Sequence, residues 1–202
     1  MKFYILASLF LFGMVIFRAI RKGDRKQKAL EDAFWAREAA ANSVRRKPID
    51  DLPYIYIPLE LLPVEALPDN PEVADCVRLI RQLSEKRILN LTGYTNTDLK
   101  LEYGTANITA LSEYDQNYTL LARTLQKWAE ELLKYGCTEE ARTVMEFAVS
   151  TSTDVSNTYY RLAEYWNARN DTCQIQKLIE AAQGLRSSNR DIIVRTLQET
   201  YL

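Results

Sequence analysis

The side chains that most often carry chemistry are scarce in this 202-residue chain, which has no histidine. That removes the commonest general base and the commonest metal ligand. Cys76, Cys137 and Cys173 are odd in number and far apart. They form neither a zinc-finger spacing nor a C-x-x-C redox pair, and read as free thiols in a reducing compartment. The six glycines include no P-loop and no G-x-G-x-x-G pattern. The acidic neighbours Glu130–Glu131 and Glu139–Glu140 point different ways on a helix and read as solvated or dipole-complementing charges. Asn90, Asn107 and Asn117 each begin a glycosylation-type triplet, taken as a chance match. The expectation is a chain with no catalytic residue, no cofactor and no metal. An enzyme reading would have to draw on carboxylates and tyrosines between Tyr94 and Tyr118. The twelve tyrosines point instead to core and binding surface.

What remains is recognition, and its residues must be placed by helices. Trp128-Ala129 is followed by Leu132, Gly136, Ala141, Met145 and Ala148; Leu162-Ala163 is followed by Trp166, Asn170, Ile175, Ile179 and Ala182. Ala129 and Ala163, Gly136 and Asn170, and Ala148 and Ala182 are each separated by 34 residues. A fixed period of this size marks stacked repeats. Leu121, Leu125, Trp128 and Leu132 share one helical face. Helices are expected from Tyr118 to Tyr135 and from Thr138 to Ser150, with Gly136 ending the first and Thr138 capping the second. Repeats of about 118–152 and 153–186 follow, closed by a capping helix over 189–201 with Ile193 and Leu197 inward.

This order of large and small residues resembles the tetratricopeptide repeat. The resemblance implies an all-α fold, a short helical solenoid with a concave face lined by its first helices. By alignment those residues are Arg123, Gln126, Lys127, Glu130 and Lys134 in one copy, and Asn157, Tyr160, Arg161, Glu164 and Asn167 in the next. Some members grip a peptide's terminal carboxylate with Lys, Asn and Arg. Only Arg161 fits that set here, so the resemblance implies a mixed-charge groove for a peptide or helix.

The rest of the chain divides by composition. Phe3–Phe17 is uncharged and six basic residues follow between Arg18 and Lys28. That predicts a single-pass transmembrane anchor over 1–20 in a plasma membrane, N-terminus outside and C-terminal domain cytoplasmic. Residues 21–47 carry nine basic against four acidic residues, whereas 48–202 carry 15 against 23. The first stretch reads as a juxtamembrane helix, either with its basic flank on anionic headgroups or as a solvated charged helix; its apolar stripe is too brief to claim a coiled-coil dimer. The acidic body argues against a nucleic-acid partner.

All six prolines fall in 48–71, predicting an extended linker. Yet Leu52, Tyr54, Ile55, Tyr56, Ile57, Leu59, Leu61 and Leu62 are too apolar for a solvated strand, and are expected to dock on the helical body over 72–202. Asn70-Pro71-Glu72 should start a helix, Thr97-Asp98 should cap a short one ending at Gly104, another helix should occupy Thr105–Tyr114, and Asp115–Asn117 should break or cap before Tyr118. The function expected is a membrane-tethered protein–protein interaction module in a bacterial cell; a permanent structural subunit of a membrane complex is the alternative.

Overall fold

A computed structural model describes residues 2–201, apart from the side chains of 2–11, 15 and 19. Among these residues it is all-helical, with α1 (Lys2–Ser43), α2 (Pro71–Ser84), α3 (Asn96–Tyr103), a 3-10 turn (Thr105–Asn107), α4 (Ile108–Lys134), α5 (Thr138–Ser150), α6 (Ser156–Asn167), α7 (Thr172–Gln183) and α8 (Arg190–Tyr201). They form two compact units: Met1–Lys47 with Thr95–Asn107, and Pro48–Tyr94 with Ile108–Leu202.

In the first unit α1 packs its C-terminal turns on α3. Ala41 is fully buried there. Glu38 receives the Thr97 hydroxyl and lies 3.1 Å from the Lys100 ammonium, and Arg37 pairs with Asp98 at 2.5 Å. The cap of α3 is Thr95 rather than Thr97: its hydroxyl accepts from the Asp98 amide while Asp98 accepts from the Thr95 amide. Gly104 ends the helix at φ 86, where a side chain would strike the Arg45 carbonyl. α1 stops at Ser43, four residues short of expectation. Residues 44–47 are held instead by the end of α3 and the 3-10 turn: the Lys47 amide donates to the Tyr103 carbonyl at 3.1 Å, and the Asn107 carboxamide donates to both Lys47 and Tyr103 carbonyls at 2.7 Å. Among the described residues no helix is long and apolar enough to cross a membrane. The predicted anchor over 1–20 falls largely on residues whose side chains lie outside that description.

In the second unit α4 is the centre, with Leu121, Leu125, Trp128 and Leu132 fully buried. It packs on α2 and α5; α5 meets α6, α6 meets α7, and α8 closes on α6 and α7. Residues 34 apart share an environment. Ala129, Ala163, Ala148 and Ala182 are at most 2% exposed, and Gly136 and Asn170 turn the chain at φ 77 and 56. Ile175, larger than its counterpart Ala141, is fully buried as well, and so are Ile193 and Leu197 of α8.

Two local expectations are corrected. α5 begins at Thr138, and the cap position belongs to Cys137, which makes no side-chain bond. α4 runs unbroken through Asp115–Asn117. Those polar residues face the incoming segment instead of the helix ladder. Asp115 accepts from the Leu91 amide at 3.1 Å and Asn117 donates to the Arg87 carbonyl at 3.0 Å. Ile88 and Leu89, 0% and 3% exposed, are held there without a strand: Ile55 donates to Ile88, and Leu89 to Tyr114. α2 starts as expected, the Asn70 side chain accepting from the Glu72 and Val73 amides.

The proline-rich segment is extended only in its first half. Beyond Ile57 it winds into successive turns, closed by hydrogen bonds from Leu61 to Pro58, Ala66 to Pro63 and Asn70 to Leu67. Proline at the first or second position of each turn fits its fixed φ and missing N–H.

Candidate partner-binding cleft

The apolar strip divides into three groups. Ile57 and Leu62 are 2% and 5% exposed and belong to the core of the second unit, while Ile55 and Leu59 pack against it half-buried. Leu52 and Tyr54 are also half-buried. The Tyr54 hydroxyl donates to the Ile49 carbonyl, its ring meets the Tyr114 ring edge-on at 5.7 Å, and Arg87 stacks on it at 5.3 Å. Burial pushes the Tyr54 phenol upward despite that cation. Tyr56 and Leu61 stay 73% and 70% exposed.

The ten residues aligned to a groove do not all meet. Glu130, Lys134, Arg161 and Glu164 line one cleft of 540 Å³ between α4 and α6, together with Leu133, Thr138, Tyr165, Ala168 and Arg169. Gln126, Glu130 and Asn157 serve the protein itself. The Glu130 carboxylate accepts from Gln126 at 2.7 Å and from Asn157 at 2.8 Å, and the Thr158 hydroxyl donates to Gln126 at 2.6 Å. This chain of bonds joins α4 to α6 at the inner end of the cleft. Lys127 points the other way and pairs with Glu72 of α2, which holds its ammonium pKa upward. Arg123 and Asn167 are exposed away from the cleft, and Tyr160 packs half-buried on the core.

Tyr165 and Arg169, which the alignment passed over, also line the cleft, and both are held from behind by Glu139. Glu139, at the start of α5, receives the Tyr165 hydroxyl at 2.7 Å, Arg169 at 2.7 Å and Arg142 at 3.2 Å. The Tyr165 bond, then Arg142 and Arg169, hold its carboxyl below the usual range. Burial, with the same bond, pushes the Tyr165 phenol up. The Arg169 guanidinium lies 3.6 Å over the Tyr165 ring. A clue was present in the spacing: Arg161, Tyr165 and Arg169 recur every fourth residue on one face of α6 and its last turn. That Tyr165 would be only 8% exposed was not legible without α5 beside it.

The result is an open trough with Leu133 and Ala168 as apolar surface, and with charges of both signs. Lys134 is tied to Glu131 at 2.5 Å and Arg161 to Glu164 at 3.0 Å, both on the same helix turn. Both cations are at least half exposed, so these pairs are weak and exchange readily. A second cleft, of 410 Å³, is hydroxyl-lined by Thr92, Ser150, Thr151 and Ser152. Its polar groups are more committed, Asn90 donating to the Thr151 and Ser152 carbonyls and Ser187 to Asp154.

Among the described residues no group of three or more His, Cys, Asp or Glu could hold a metal. Cys76 is buried, its thiol pushed up by desolvation; Cys137 is half-buried and Cys173 exposed. Around the enzyme alternative, Tyr114 packs on Tyr54, Tyr118 is 4% exposed and Arg186 covers the Tyr94 ring at 5.0 Å. Compared with known proteins, the chain matches no family model, no curated protein and no solved structure.

Proposed function

We propose that this chain is a membrane-tethered protein–protein interaction module. Its two helix pairs, α4–α5 and α6–α7, act as tetratricopeptide-like repeats, and the trough between α4 and α6 takes a peptide or helix of mixed charge. One observation carries the reading: Glu130, Lys134, Arg161 and Glu164, aligned from the repeat pattern alone, line a single open cleft with an apolar surface. A ligand carboxylate would draw Arg161 from Glu164 or Lys134 from Glu131. A ligand cation would take the released acids, so neither sign alone is preferred. The tether is the run Phe3–Phe17 with its basic flank. An acidic, histidine-free body fits an adaptor.

The test is capture by the full chain from detergent-solubilised membranes, compared with Ala168→Trp and with Arg161→Glu. The first fills the trough and the second reverses a wall charge, both on exposed positions. A specific partner retained by wild type and by a Glu199→Ala control, but lost from both cleft variants, supports the reading. A partner held equally by all four places recognition elsewhere. The alternative, a permanent subunit, is favoured by exposed Tyr56 and Leu61. It predicts a fixed stoichiometry that does not exchange with added free chain.

A further inference from the structure

The helix α1 carries an apolar stripe that its own unit covers only at one end. Ile16, Ile20, Gly23, Gln27, Leu30 and Phe34 follow at alternating intervals of four and three residues. That spacing keeps side chains on the seam of a supercoiled helix pair. The stripe is bare: Ile20, Leu30 and Phe34 are 57%, 64% and 54% exposed. Continued by the same steps it reaches Arg37 and Ala41, where α3 packs on it and Ala41 is fully buried. The face is a packing face, used downstream and unpartnered upstream.

We propose that its occupant is a second copy of this chain, with the two α1 helices parallel and in register. Charge selects both partner and direction. Asp24 and Glu31 flank the seam on one side and Lys26 on the other. In a parallel pair the two flanks meet with a five-residue offset, so Lys26 of each copy faces Glu31 of the other, twice per dimer. In an antiparallel pair the acidic flanks would face each other. The strongly basic positions Arg18, Lys22 and Arg25 lie on the back of the helix, where they do not oppose pairing. Gln27 sits mid-seam. There a polar side chain pairs with its own copy and fixes register; in the single chain it reaches only Glu31, at 3.3 Å. At Gly23 a Cβ would meet nothing within 4 Å, so a second backbone has room to approach.

The test uses the full chain in a neutral detergent, sedimented over a range of concentrations, and does not depend on what fills the cleft between α4 and α6. Wild type should sediment as a dimer. Lys26→Glu and Glu31→Lys should each raise the dissociation constant by roughly tenfold, since each replaces two attractions with two repulsions. The double variant should restore it. With Cys137→Ser and Cys173→Ser as background, Gln27→Cys should form an inter-chain disulfide under mild oxidation, and Lys22→Cys should not. A monomeric wild type, or a double variant no better than the single ones, overturns the proposal. So does the behaviour of a helix that merely lies on anionic lipid: Glu31→Lys would then tighten binding to phosphatidylserine vesicles and leave sedimentation unchanged.

Discussion

Asn90, Asn107 and Asn117 show how one residue type can be misread in sequence and still be decisive in the fold. As triplets they look like modification sites; in space each carboxamide closes a gap that no helix closes. Asn107 is 1% exposed, binds two carbonyls and accepts from Arg46 at 3.1 Å. Asn107→Ala should cost about 1–3 kcal/mol, because a buried carboxamide and the hydrogen bonds it makes to Lys47, Tyr103 and Arg46 are lost. Asn107→Asp keeps the shape and should fail similarly. Thermal melts measure both, and amide exchange in α3 should accelerate. Glu139 gives a pH-dependent counterpart. Its folded carboxyl is depressed below the ordinary 4.5 by the Tyr165 hydroxyl, Arg142 and Arg169. A depressed carboxyl contributes stability that is present above the ordinary value and is lost as pH falls through the folded one. The melting temperature should therefore decline below about pH 5, and Glu139→Gln should flatten that decline. An unchanged slope in the variant would mean that the Tyr165–Glu139–Arg169 cluster contributes no linkage.

At the scale of elements, the two halves of the proline-rich strip make opposite predictions. Ile57 and Leu62 are buried in the core, so Ile57→Ala and Leu62→Ala should each cost about 2–5 kcal/mol. Tyr56 and Leu61 are among the most exposed apolar residues. Their alanine variants should change stability by less than about 0.5 kcal/mol. Equal effects would mean the strip does not lie on the helices as described. Ala148→Leu and Ala182→Leu, at equivalent packed positions, should each overpack and cost about 1–3 kcal/mol, with Arg123→Ala near neutral. The inside of these helices was legible in the sequence because small residues at a 34-residue period report backbone approach directly. Their outside was not. Gln126, Glu130 and Asn157 look alike as groove and as lock, and only the neighbouring helix decides which they are. The same applies to Asp115 and Asn117: their polarity predicted a break, because the carbonyl and amide they satisfy arrive from residues 87–91, far along the chain.

For the whole molecule, charge is divided unevenly along the sequence. Residues 21–47 carry an excess of five basic charges, and 48–202 an excess of eight acidic ones. Basic residues beside an apolar segment resist export, and near anionic headgroups each contributes about 1 kcal/mol. An acidic body is repelled by that same surface. On the proposed topology both effects would favour the stretch from Arg18 to Lys28 on the cytoplasmic side. A reporter that works only in the cytoplasm, fused after Leu202, should therefore be active, and one that needs export should be silent. Changing Arg21, Lys22, Arg25 and Lys28 together to Gln should lower the first signal and raise the second. The same four changes should leave the melting temperature unaltered, since all four side chains are exposed. Activity confined to the exported reporter in the wild type would reverse the orientation, and would place the cleft between α4 and α6 before a different set of partners.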